Sequence, residues 1–153
     1  MHPLPHRYCV KGAARLSGDV ELIADRLATL RSASPAEFDG PGDRWSPETL
    51  LVGAVADCFI LTFRAIAKAS GLSWISLDCD VTGTLDRVDR MMQFIRFDMT
   101  AHLVVPAGAD AAAATRMLEK AERQCLISSS LKAPVALDAA VESATPAEVR
   151  LPA

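Results

Sequence analysis

Residues 46–70 read Ser-Pro-Glu-Thr-Leu-Leu-Val-Gly-Ala-Val-Ala-Asp-Cys-Phe-Ile-Leu-Thr-Phe-Arg-Ala-Ile-Ala-Lys-Ala-Ser. This stretch predicts the central helix of the fold. Ser46 is placed to cap free amides, Pro47 suits the first helical position, and Glu48 favours the positive end of the helix dipole. Gly71 ends the run. Apolar side chains surround the helix, and only Asp57, Arg64 and Lys68 draw a narrow polar stripe, the side expected to face solvent or an interface. A helix apolar on nearly every side is a buried one.

Outward from that helix the periodicity changes. Downstream, Trp74–Asp86 alternates strictly, with Ile75, Leu77, Cys79, Val81, Gly83 and Leu85 on one face. A turn at 87–90 leads to a second alternating run, in which Ile95, Phe97, Met99, Ala101, Leu103 and Val105 face one way and Phe94, Arg96, Asp98, Thr100 and His102 the other. The pair predicts an antiparallel hairpin with one wet face. Asp110 caps a second helix reaching about Ile127, with Met117, Leu118, Ala121 and Cys125 inside, and a last strand spans 134–141. Upstream, residues 7–15 and 19–31 predict two strands. The expected architecture is α+β, helices packed on an antiparallel sheet, in a single domain over 1–153 with mobile tails at 1–6 and 144–153.

Composition narrows the function. The chain has 153 residues, 50% hydrophobic and 23% charged, with a net charge of −3, so no basic excess marks a nucleic-acid footprint. The most apolar stretch, Leu50–Phe63, is interrupted by Asp57 and is shorter than the ~20 residues a bilayer needs, so no membrane partner is expected. Residues 1–10 lack the apolar segment of a secretory signal, which makes a cytoplasmic, thiol-reducing location the expectation. His2 and His6 fall in the amino-terminal tail and His102 on a wet strand face. Three scattered histidines make no metal site, no glycine-rich phosphate loop follows a strand, and no cofactor is expected.

Four cysteines remain, Cys9, Cys58, Cys79 and Cys125, with no Cys-x-x-Cys pair among them. Cys9 and Cys79 sit on strands and read as structural. Cys58 lies midway along the central helix and Cys125 near the end of the second. Helices that pack on one sheet can bring their inner faces together, and a disulfide needs Cα atoms about 4.4–6.8 Å apart. Spacing alone does not establish that contact.

Ser46-Pro47-Glu48-Thr49-Leu50-Leu51, followed by Ala54, Asp57-Cys58-Phe59, Ala67 and Gly71, resembles the OsmC/Ohr family of osmotically inducible and organic hydroperoxide resistance proteins. Pro35–Gly40 resembles that family's loop before the helix, and Gln124-Cys125-Leu126-Ile127-Ser128 its second cysteine. The similarity spans roughly 8–142. Classical members follow the second cysteine with proline, where this chain has Leu126.

The resemblance implies a two-cysteine peroxidase on an intertwined homodimer. Cys58 would attack an organic hydroperoxide, Cys125 would resolve the resulting sulfenic acid as a disulfide, and an external lipoyl-type dithiol would reset the pair. It implies an arginine beside the thiolate, held by Glu48. Arg15 is the chosen candidate, with Arg44 and Arg26 as alternatives. A free thiol is only ~3% ionised at pH 7, so such help is needed. An apolar pocket for the organic group is expected from Trp45, Phe59, Phe63 and Met92, although for Phe59 and Phe63 plain core packing is the stronger reading. The alternative is a non-catalytic protein of the same fold, binding a small ligand or serving a stress response without turnover.

Overall fold

The computed structural model describes residues 3–144. His2 and residues 145–153, which include most of the expected carboxyl-terminal tail, lie outside them. Two compact units divide the chain, 1–51 and 52–153.

In the first unit three short antiparallel strands, β1 (Lys11–Ala13), β2 (Val20–Ile23) and β3 (Leu30–Ser32), form one sheet. Two strands were expected here. The second breaks because the Leu27 N–H donates to the Ala24 carbonyl and Arg26 adopts a left-handed φ of 59°, which reverses the chain. Ser32 then bridges to Trp45 just ahead of the long helix.

That helix, α1 (Pro47–Ser70), begins as the sequence predicts. Ser46 Oγ accepts from the Thr49 N–H at 3.2 Å, and Thr49 Oγ1 accepts from the Ser46 N–H at 2.8 Å, a reciprocal cap. It ends at Gly71, whose φ of 68° lets the Leu72 N–H reach back to the Ala67 carbonyl. An 18-residue window within its 24 residues reaches a mean hydropathy of 1.9, so by length and composition the helix, unlike the shorter stretch 50–63, is long and apolar enough to cross a membrane. Val55, Phe59, Phe63 and Ala67 are nevertheless fully buried, as in a core helix, while Leu61 is 51% exposed. Asp57, Arg64 and Lys68 all face outward.

The second unit is built on β4 (Ser76–Val88), β5 (Met91–Val105) and β6 (Val135–Ser143) in that order. A two-residue turn joins β4 to β5, with Asp89 and Arg90 both left-handed, the geometry that matches strand twist. Two details differ from expectation. First, the register shifts between Thr84 and Leu85, so Leu85 pairs with Phe94 while Thr84 pairs with Arg96. Ile95 becomes the extra residue, and Phe94 stacks on Phe97 with ring centroids 5.0 Å apart. Gly83 makes room for this: a Cβ there would stand 2.8 Å from both the Phe94 ring and Val52 Cγ2.

Second, β6 runs parallel to β5, so the sheet is mixed. Helix α2 (Ala111–Gln124) makes the return that a parallel pair requires. Asp110 caps it, accepting from the Ala113 N–H at 2.9 Å. The helix stops at Gln124, short of the expected Ile127, and a separate turn, α3 (Leu126–Ser129), follows. The core comprises Phe97, Met99, Ala101, Leu103 and Val105 from β5, with Ala114, Leu118 and Ala121 from α2. His102, expected to be merely solvated, meets Glu142 across the parallel pair at 2.9 Å. Ala144, expected in the tail, is buried and donates to the Val105 carbonyl.

Candidate active site

Cys58 lies on α1 at half burial, and Cys125 occupies the junction of α2 and α3 with no exposed surface. Both are free thiols. The two thiols influence each other, Cys125 lowering the pKa of Cys58 and Cys58 raising that of Cys125. Thr62, one turn further along α1, places its hydroxyl 4.0 Å from the Cys58 sulfur.

Burial alone pushes the Cys58 thiol up. The main-chain N–H of Ile127, the Cys125 thiol, the Thr62 hydroxyl and the N–H of Leu126 outweigh it, and Cys58 ionises below the ordinary value. Burial pushes Cys125 up, against the opposing hydroxyl and N–H of Ser128; its donation to Cys58 and the charge there push it further. The two thiols are thus shifted in opposite directions, Cys58 toward easier ionisation and Cys125 away from it. Ser128 Oγ is buried without an oxygen or nitrogen partner among the described residues, consistent with a hydroxyl turned to sulfur. Cys79 is pushed up to about 11 by burial, Asp80 and Cys125, as suits the structural role expected of it.

Cys58 opens onto a cavity of about 730 Å³. Its walls are largely apolar, with Leu61, Ala65 and Ile66 from α1 facing Leu126 and Ile127, and with Lys120 and Asp57 as its charged groups. Phe59 and Phe63, expected as pocket walls, are fully buried core residues, and Phe63 meets Trp74 edge-on at 5.5 Å. Met92 is 56% exposed on β5. Thr62, Lys120 and the amides of Leu126 and Ile127 did not emerge from the sequence. Thr62 had a signal in its i+4 spacing from Cys58, whereas main-chain donors leave none.

The remaining site candidates lie in the first unit. Arg15 is exposed and lines a polar cavity of about 570 Å³ with Ser17, Asp19, Glu21 and Arg31. Arg44 is engaged by Asp19 at 3.1 Å and Asp43 at 2.9 Å, and Arg26 by Asp25 at 3.2 Å on an open surface. Trp45 lies 54% exposed beside Arg44. Glu48 stands in the first turn of α1, and its Oε2 is buried with no hydrogen-bond partner among the described residues. No cluster of three or more metal-ligating side chains occurs among the described residues.

Residues 40–140 match the family model described as OsmC-like protein. The chain belongs to the OsmC-like family. A curated relative is the uncharacterized protein YmaD of Bacillus subtilis, 31% identical over 106 residues, covering 67% of this chain and 71% of YmaD. Peroxiredoxin OsmC of Escherichia coli is 27% identical over 139 residues, covering 87% of this chain and 96% of that protein. The OsmC-like fold is seen again in an organic hydroperoxide resistance protein OsmC from Legionella pneumophila, with a TM-score of 0.71 at 23% identity over 92% of this chain and 99% of that one.

Proposed function

We propose that this OsmC-like protein is a thiol-dependent peroxidase that reduces organic hydroperoxides through Cys58 and Cys125. The observation that carries the reading is that Cys58 opens to an apolar cavity and that the two thiols shift each other's pKa, Cys58 down and Cys125 up. The names of its relatives, a peroxiredoxin and an organic hydroperoxide resistance protein, agree with it.

In this reading the Cys58 thiolate attacks the distal oxygen of the hydroperoxide. The O–O bond breaks, the alkoxide takes a proton and leaves as alcohol, and Cys58 becomes a sulfenic acid. Cys125, as thiolate, then attacks the Cys58 sulfur. Hydroxide leaves and is protonated to water as the disulfide forms. An external lipoyl-type dithiol reduces that disulfide and is itself oxidised. The apolar cavity over Cys58 suits the organic group better than it suits hydrogen peroxide.

Glu48 and Arg15 are assigned as the supporting carboxylate and guanidinium. The orphaned Oε2 of Glu48 is what a guanidinium would satisfy. The protein is proposed to act as a homodimer in the cytoplasm. Leu61, Met91 and Met92, at 51%, 72% and 56% exposure, are apolar surface that a second copy would cover.

The test is chemical. Reduced protein treated with one equivalent of cumene hydroperoxide should yield a Cys58–Cys125 disulfide by peptide mass spectrometry, and should turn over with dihydrolipoamide. Two free thiols after that treatment would remove the proposal. A single stoichiometric oxidation without turnover would favour a ligand-binding or stress-response role.

A further inference from the structure

Hydroxyls on helices often close back on the main chain, and several in this protein do. Thr115 Oγ1 donates to the Ala111 carbonyl at 3.0 Å, and Ser129 and Ser130 donate to the carbonyls of Cys125 and Leu126 at 2.8 Å. Thr62 does not. The Cys58 carbonyl stands four residues back on α1, yet the Thr62 hydroxyl lies 4.0 Å from the Cys58 sulfur and has no oxygen or nitrogen partner among the described residues. Thr62 also lines the cavity of about 730 Å³ onto which Cys58 opens. Its hydroxyl stands beside the sulfur at the edge of the space a substrate would enter, with its proton uncommitted to the main chain.

We propose that Thr62 is a catalytic residue whose hydroxyl donates to the leaving oxygen of the hydroperoxide as the O–O bond breaks. This rests on the reading above that Cys58 is the reacting sulfur.

A peroxide oxygen poised for attack stands about 3–3.5 Å from its nucleophile. A hydroxyl hydrogen bond spans about 2.7–2.8 Å. The two lengths together exceed the 4.0 Å between Thr62 Oγ1 and Cys58 Sγ, so one bound peroxide can meet both groups at once. Helix α1 holds the two side chains one turn apart on the same face, which fixes that separation.

In the step itself the Cys58 thiolate bonds to the distal oxygen, which keeps its hydrogen and becomes part of the sulfenic acid. The O–O electron pair passes to the oxygen that bears the organic group. That oxygen gathers negative charge as it leaves, takes a proton from water and departs as alcohol. A donor aimed at the developing charge in an apolar cavity lowers the barrier most where the leaving oxygen is most basic. A hydroxyl that only tuned the sulfur would slow every oxidant equally.

The experiment compares cumene hydroperoxide, whose leaving group is a basic alkoxide, with peroxybenzoic acid, whose leaving carboxylate carries its charge unaided. Second-order rates of Cys58 oxidation are read in single turnover at one fixed pH by quenching and peptide mass spectrometry. Thr62→Val is expected to lower the cumene hydroperoxide rate by at least about tenfold, the low side of what losing a donor to a developing oxyanion costs. The peroxybenzoic acid rate is expected to fall no more than about threefold, as for a slightly shifted sulfur. Thr62→Ser, which keeps the hydroxyl, is expected to retain the parent's ratio of the two rates. Equal falls for the two oxidants, no fall for either, or a Thr62→Ser ratio equal to that of Thr62→Val overturns the proposal. A parent protein whose Cys58 reacts with neither oxidant overturns the peroxidase reading as well, whereas a reactive parent without that discrimination overturns this role of Thr62 alone. Should Thr62→Val fail to fold, Thr62→Ala is read by the same criteria.

Discussion

Cys58 and Cys125, 67 positions apart in sequence, shift each other's pKa in opposite directions, Cys58 down and Cys125 up. The arrangement is asymmetric. Cys58 opens to the cavity and is surrounded by donors, whereas Cys125 is sealed in and has its ionisation raised. On the proposed reading the more exposed sulfur acts as the nucleophile and the covered one resolves, an order that access and charge together favour.

That asymmetry predicts different failures for the two cysteines. Cys58→Ser should abolish dithiol-dependent hydroperoxide consumption. Cys125→Ser should permit one oxidation, leaving a Cys58 sulfenic acid that dimedone traps, with no steady-state turnover. A coupled assay and intact-mass spectrometry check both. Sustained turnover in Cys125→Ser would show that the disulfide is not on the route.

The pH dependence has a definite sign. Cys58 ionises below the ordinary thiol value, so its alkylation should level off at lower pH than that of a small-molecule thiol. Cys79, pushed up to about 11, should stay unreactive until strongly alkaline conditions. Because its folded value lies above its unfolded one, its contribution to stability is complete below about pH 8.5 and is lost as pH rises toward 11. Cys79→Val should therefore flatten the fall in melting temperature over that window.

Thr62→Val removes a hydroxyl 4.0 Å from the Cys58 sulfur at nearly constant volume. The Cys58 alkylation midpoint should rise by a fraction of a unit, roughly two- to threefold in rate at pH 7, since a long contact to sulfur is worth less than an ordinary hydrogen bond. The melting temperature should move little.

Gly83→Ala should destabilise the protein by about 1–3 kcal/mol, because the new methyl would meet Phe94 and Val52 at 2.8 Å. Pairing it with Phe94→Leu should recover part of the loss. Thermal denaturation of the single and double variants gives the coupling.

Much of this was legible in sequence because it was local. Ser46, Pro47 and Gly71 mark the limits of α1 within a turn, and alternation along 97–105 identified the core face of β5. What failed was non-local. The bulge that turns Phe94 inward depends on space that Gly83 leaves on the neighbouring strand. The direction of β6 depends on the whole return through α2, and His102 finds Glu142 forty residues away. At the site, Cys58 and Cys125 were recoverable as side chains with known chemistry. The amides of Leu126 and Ile127 were not, because every residue but proline carries the same N–H and only folding gives it an acceptor.

The parallel pairing of β5 with β6 obliges the polypeptide to travel back along the sheet before it can add the last strand. Cys125 is carried on that journey and not in the ladder itself. An extra residue inside β5 would turn Phe97, Met99 and Leu103 out to water, whereas slack in the homeward segment costs no pairing. Cys125 thus sits where a change in chain length can move its sulfur while the strand register beneath stays the same.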